Sequence, residues 1–368
     1  MIINNLYSLY ITVFIILVFT RPINSQSVYY DFDSLLQHNE VFRTTAKQVF
    51  DTFQIFGSEK PLELTVATDF KALTKNRYED KYQPAQVIYQ LRDSINISRE
   101  IRIKPRGVLR LKVCAQAPLW VNVKKTEEVF QLLDDLGKLK LVVPCRGTNT
   151  YQQYVYSEYL IYRLYNVITD NSFRVRMIRV NYSDTSEKLK PGHSYTFIIE
   201  SHKSLAKRQA SMRIENENLN MKLIDQETAA ILYLFQFMVG NTDWSIHGLH
   251  NIKLIKSLDP TLPYPIAIPY DFDYAGLVNT NYAVPGPNVD IDQVTERAYM
   301  GHCLPEETMI KAINHFLEKE EELMAIIEDS EYLTQSQKKK SLLYLEKFFS
   351  ILSNPKRYKF AILDKCKR

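Results

Sequence analysis

The sequence predicts an α+β fold of two lobes, a β-rich N-terminal lobe with one central helix and a mainly helical C-terminal lobe. Three observations lead there. Segments that alternate apolar and polar residues crowd between Leu62 and Ser201, the period that sets one strand face on a core. The period then becomes helical from Gln226 to Gly240 and again in two stretches near the C-terminus. After an apolar leader, roughly 340 residues remain, more than one ordinary core holds.

The leader, MIINNLYSLYITVFIILVFTRPINSQS, has an apolar run from Tyr10 to Phe19, short of the roughly 20 residues that span a bilayer. Asn24-Ser25-Gln26 follows, a small and polar stretch that suits signal peptidase. Residues 1–26 are read as a signal peptide or an uncleaved anchor, and the body as exported: periplasmic, on the cell surface or secreted. Residues 27–61 read as a connecting segment that closes on Gly57 and Pro61. The β-rich lobe, 62–202, contains alternating strands at Leu62–Phe70, Arg99–Pro105, Val108–Cys114, Leu119–Lys125 and Lys138–Pro144. In the last of these, alternation puts Lys138 and Lys140 on one face and Leu139 and Leu141 on the other. Tyr151–Ile168 changes to helical spacing, with Glu158 among its aromatics, and strands Phe173–Tyr182 and Tyr195–Ser201 complete the lobe.

The helical lobe, 203–368, begins with Gln226–Gly240, apolar nearly all round and so read as a buried helix. Two short strands follow, NIKLI and PIAIP, joined as a hairpin. EETMIKAINHFLEKEEELMAIIED and QSQKKKSLLYLEKFFSIL read as two amphipathic helices with their charge runs in solvent.

Composition narrows the function. Aromatics at 12% and 24 Tyr against 10 Gly belong to a globular chain. The net charge of +4 is scattered, so nucleic acid is not an expected partner, and a membrane is one only if the leader is retained. Cys114, Cys145, Cys303 and Cys366 lack CxxC spacing, which argues against a zinc site. Cys145 and Cys303 each sit beside a turn and are read either as a pair or as free thiols. His247 and His250 have HxxH spacing without a third ligand nearby.

One ordered set of residues carries chemistry. GNTDWSIHGLHN runs from Gly240 to Asn251, and IPYDFDYAG from Ile268 to Gly276, on either side of the hairpin. Phosphoryl transfer needs little covalent help and much electrostatic help. A carboxylate must take the acceptor's proton, an amide and a second carboxylate must hold magnesium, and a Lys held by a helical Glu must meet the phosphates. Lys138 or Lys140, Glu158, Asp243, Asn251 and Asp271 supply this set in chain order.

RGVLRLKVCAQAPLWVNVKK, KLKLVVPCRGTNTYQQYVYSEYLIYRLYN, FMVGNTDWSIHGLHNIKLI and IPYDFDYAG together resemble the atypical kinase-like proteins of the CotH spore-coat kinase type. The likeness to HipA and the lipid kinases is more distant. It runs from about Ile101 to Gly276 and implies a two-lobed protein-kinase-like fold. The last two motifs also resemble uncharacterised exported proteins of the Bacteroidetes type, which implies a bacterial periplasmic or outer-surface setting. Carried over residue by residue, it makes Asp243 the catalytic base, and Asn251 and Asp271 the metal ligands. Asp273 stands where ordinary kinases have glycine, as a second ligand or a turn-stabilising side chain. Lys140, nearer the strand centre, or Lys138 meets the phosphates with Glu158. The implied cofactors are ATP and Mg2+, with Mn2+ an alternative, and the implied partners a nucleotide and a protein or small-molecule acceptor. No GxGxxG precedes the lysines, so Arg106, Arg110 or backbone amides would have to cover the phosphates. That departure leaves a second reading, an inactive pseudokinase that serves as a binding module.

Overall fold

The computed structural model describes residues 28–31, 60–92, 95–123, 138–215, 223–287 and 289–367. The leader, 1–26, and most of 27–61 lie outside them. Seven strands form the first half: β2 (Leu62–Thr68), β3 (Gln83–Arg92), β4 (Ile95–Pro105), β5 (Leu119–Val123), β6 (Lys138–Val142), β7 (Val175–Asp184) and β8 (Gly192–Ile199). Their order is β4-β3-β2-β7-β8-β6-β5, and β5 pairs back onto β4 through Ile101↔Val123 to Pro105↔Leu119. The sheet therefore closes into a barrel, unlike the β-lobe that the kinase resemblance implies. β1 (Val28–Asp31) lies outside the ring, parallel to Ile95–Ser98 of β4. β2 runs parallel to β7, and the other pairs in the ring are antiparallel.

Strand alternation divides the barrel residues between two cores. Ile101, Ile103, Leu139, Leu141, Ile178, Val180 and Ile198 gather in one. The intervening Val175, Met177, Phe197 and Ile199 join a larger core with the helix α3 (Asn149–Ile168). Ile161 and Leu164 of α3 are fully buried there, and each buried aliphatic side chain of this kind stabilises by about 1.5–3 kcal/mol. Two short helices also lie in this half, α1 (Phe70–Lys75) and α2 (Leu109–Val113). Among the described residues the single helix expected there is thus joined by two others. Val108–Cys114, read above as a strand, is helical: in five residues LRLKV satisfies both periods, and the turn at Gly107, with φ of +93°, starts it.

The second half holds α4 (His202–Arg208), β9 (Ser211–Ile214), α5 (Gln226–Val239), β10 (Ile252–Ser257) and β11 (Ile266–Pro269). Then come α6 (Glu306–Glu318), α7 (Glu320–Glu328), α8 (Gln335–Leu352) and α9 (Pro355–Ala361). β10 is the centre of a three-stranded antiparallel sheet with β9 and β11. α5 begins at Asp225, whose side chain accepts from Thr228 N, and ends at Gly240 in the left-handed region, the usual use of both residue types. The stretch read as one helix before residue 330 is two, broken at Lys319. No described helix is long and apolar enough to cross a membrane.

The cysteines pair as Cys114–Cys145 and Cys303–Cys366. The Cys145–Cys303 pairing and the free thiols are both corrected. Each bridge ties segments that the sheet or the last helices already hold side by side: Gln116 N donates to Cys145 O, and Cys303 N to Lys367 O. Two disulfides are compatible with an extracellular location.

Candidate active site

The β10–β11 ladder positions the acidic residues. Ile252 pairs with Pro269, and Tyr270 N donates to Asn251 O at 3.0 Å. Asn251 and Asp271 thus leave adjacent strands at the same end. Both have left-handed backbone, φ +53° and +67°, a conformation that costs a non-glycine residue free energy and persists only where the surroundings impose it. At Asp271 the amide donates to the buried Tyr162 Oη, 2.8 Å away.

Asp243 comes from the loop after α5. Its amide donates to Asn241 Oδ1 at 3.0 Å, and Trp244 Nε1 donates to Asn241 O, fixing the turn. Asn251 Nδ2 donates to both Asp243 O, at 2.8 Å, and Asp243 Oδ2, at 3.0 Å. His250 Nε2 contacts Oδ1 at 2.8 Å. The carboxylate is therefore oriented at both oxygens, and the Asn251 amide turns its donor side inward, leaving Oδ1 as its acceptor. His250 is the partner of Asp243, and among the described residues no group of three His, Cys, Asp or Glu that could hold a metal includes the HxxH pair.

Asp273 is buried, accepts from Tyr282 Oη at 3.1 Å, and stands 3.9 Å from Arg110 Nη1. Asp271 Oδ2 is 3.7 Å from Arg106 Nη2. Burial and then the charge of Asp271 push the Asp273 carboxyl up to about 6. Glu158 is buried on α3, its Oε1 without a hydrogen-bond partner. Burial first, then Asp273 and Asp271, hold its carboxyl well above the ordinary range. Three carboxyls crowd here against the guanidiniums of Arg106 and Arg110.

Lys140 projects from β6, with Leu139 and Leu141 buried on the opposite face, as the alternation predicts. Its Nζ lies 3.6 Å from the centre of the Tyr270 ring. Burial, then the cations Arg106 and Lys253, lower its ammonium to about 7, with Asp271 opposing them. Lys138 is exposed on the same face. Lys140 is thus stacked on Tyr270 rather than seated on Glu158, whose counter-charges are Arg110 and Arg106.

Three participants were not singled out from the sequence. Tyr162 lies one helical turn beyond Glu158, so the i,i+4 rule places both on one face of α3. Lys253, the second residue of β10, reaches the Tyr270 ring, its Nζ 5.8 Å from the centre. Tyr282 reaches Asp273 from a loop with no local signal. Arg297 lies away from this cluster: it stacks 3.7 Å from the centre of Tyr344 and donates to the carbonyls of Phe237, Met238 and Tyr344.

Fold and site together define a mixed α/β protein with a closed barrel and a cluster of paired carboxylates and cations beside a β-hairpin. No family description matches the chain, and neither does any curated protein. Among solved structures, that of a Helicobacter pylori proinflammatory kinase, CtkA, aligns at 10% identity with a TM-score of 0.35, covering 67% of this chain and 91% of that one.

Proposed function

We propose that the chain is an exported, kinase-like phosphotransferase of the CotH type that moves the γ-phosphoryl of ATP to a protein or small-molecule hydroxyl. The observation that carries this reading is the convergence of Asp243, Asn251 and Asp271 through the β10–β11 register, with Asn251 bonded to Asp243 and Asp271 beside the ring that holds Lys140. In the proposed reaction, the acceptor oxygen bonds to the γ-phosphorus while the bond to the β,γ-bridging oxygen breaks. The hydroxyl proton passes to Asp243, whose oxygens His250 and Asn251 orient. Lys140 faces the phosphate chain, and Arg106 and Arg110 cover it where a glycine loop is missing. Glu158 anchors the two arginines from behind.

Among the described residues, no three His, Cys, Asp or Glu side chains stand close enough to hold an ion by themselves. The donor set nevertheless fits Mg2+, which is commonly held by one or two carboxylates with substrate phosphates and water. Asn251 Oδ1, Asp271 and Asp273 would hold it, and the crowding that raises the Asp273 carboxyl is what a cation relieves. Bound there, the ion would neutralise charge on the β- and γ-phosphates.

One observation favours a second reading, the pseudokinase binding module: Arg106 and Arg110 stand against Asp271 and Asp273, the carboxylates the metal needs. The two readings separate experimentally. ATP with Mg2+ is expected to raise the thermal unfolding temperature of the mature protein, and Asp271→Asn to abolish the rise. Transfer from labelled ATP is expected to fall about 10²–10⁴-fold in Asp243→Asn while nucleotide binding persists. A folded protein that no nucleotide stabilises leaves only the binding module.

A further inference from the structure

Beside the acidic cluster, a cavity of about 300 Å³ opens between β6, β8, β9 and β10. Its lining includes Lys138, Lys140, Arg213 and Lys253, with the rings of Trp120 and Tyr270 between them. The cations and rings form a ladder. Arg106 lies 5.4 Å and Lys140 5.9 Å from the centre of Trp120, and Lys140 3.6 Å and Lys253 5.8 Å from the centre of Tyr270. The ladder leads from Asp271, on which Arg106 rests, into the cavity.

Negative charge does not balance it. Glu200 is the one carboxylate in the lining, and it is buried and committed, accepting from Arg208 Nε and Nη2 at 3.1 and 2.9 Å and from Arg174 N at 3.1 Å. Arg213 has Glu215 at 3.6 Å, but both are exposed, and such a pair holds weakly. Phe173 and Ile199 also line this space, and a lysine stands on its barrel side and another on its hairpin side. Lys140 and Lys253 are half-buried here while Lys138 and Arg213 stand exposed at the edge, and like charges gathered in this way call for an anion.

We infer that the cavity is a phosphate-binding subsite, so that the ligand of this cleft carries phosphate at both ends. One end faces Asp243 and Asp271, and the other is seated among Lys138, Lys253 and Arg213. The inference rests on the phosphotransfer reading only for the first end; the cavity's demand for an anion stands apart from it. Two sources share this chemistry: an inorganic polyphosphate chain, and a nucleoside that bears a sugar phosphate in addition to its 5′ chain.

Calorimetric titration of the intact protein at physiological ionic strength, with magnesium chelated, tests the subsite. The probes are tripolyphosphate, adenosine 3′,5′-bisphosphate, ADP and adenosine. Tripolyphosphate or the bisphosphate is expected to bind at one site per chain, more tightly than ADP. Lys138→Met, Lys253→Met and Arg213→Gln are each expected to weaken it about tenfold or more, the usual scale for a charge-assisted hydrogen bond. Preference between the two probes identifies the source. Asp271→Asn is expected to leave tripolyphosphate binding in place. ADP and adenosine binding alike, with none of the three cation variants changing any affinity, overturns the inference even if ATP transfer is normal. Cation-dependent tripolyphosphate binding without any transfer from ATP leaves the inference standing and removes the phosphotransfer reading.

Discussion

Asn251 and Asp271 share a left-handed backbone, and the residue that makes this end of the molecule fit together is Gly240. At φ +66°, it ends α5 and turns the chain into the Asp243 loop, while its carbonyl accepts from Gly276 N at 3.0 Å. A Cβ at Gly240 would fall inside contact distance of Tyr344 Oη. Gly240→Ala is therefore expected to lower the unfolding free energy measured in urea by at least about 1–2 kcal/mol, the cost of a left-handed L-residue; an unchanged midpoint would show that the turn adapts. At this scale much of the site was legible. Glycine after a buried helix, and Asn eight residues after Asp243, are local signals. What sequence could not disclose is that Lys140 rests on Tyr270, or that Tyr282 reaches Asp273: those depend on which strands become neighbours.

Among the elements, α2 matters most to the site because Arg110 lies on it and Arg106 just before it. Arg77 Nη1 donates to Cys114 O and Tyr78 Oη to Leu111 O, and two further restraints hold α2 to the barrel. Arg110 Nη2 donates to Val143 O at 2.6 Å, and Cys114 at its end is bonded to Cys145 beyond β6. The bridge closes a loop with a sequence separation of 31, and in the chain-entropy account such a closure stabilises by about 3–4 kcal/mol. The Cys114→Ala, Cys145→Ala pair is expected to lose most of that in chemical denaturation, and a loss below about 1 kcal/mol would place the restraint in the rest of the barrel. α2 was misread because a five-residue helix is too short to express its period against an alternating pattern. The longer elements, α3 and α5, carry enough turns to be read. β3 was passed over because Pro84 and the scattered Gln83, Gln86 and Gln90 blur its alternation.

For the molecule as a whole, acid stability turns on a junction between the two halves. His202 opens α4 after the last barrel strand, and its Nε2 donates to Leu254 O on β10 at 2.9 Å. Burial chiefly lowers the imidazole to about 4, the hydrogen bond opposing and Lys253 and Arg213 adding to the shift. As pH falls below 6.5 the unfolded chain takes up a proton on this ring that the folded chain refuses until about 4. The stability contributed at neutral pH is therefore lost across that window. His202→Asn is expected to flatten the fall in urea midpoint between about pH 6.5 and pH 4; a slope as steep as that of the wild type would assign the acid response to other groups. The two-core arrangement follows from strand alternation and was within reach of the sequence. Closure was not, since β2 meets β7 and β4 meets β5 through pairings that no local pattern encodes. It has a mechanical corollary. A hoop of staves bonded all the way round has no seam to unzip, so no stave comes away without breaking pairings on both its flanks. Beside the carboxylates that hoop is fastened at the bend from Pro105 to Cys114, which turns at Gly107, is tied by Arg106 N donating to Pro118 O and is moored by its sulfur bridge.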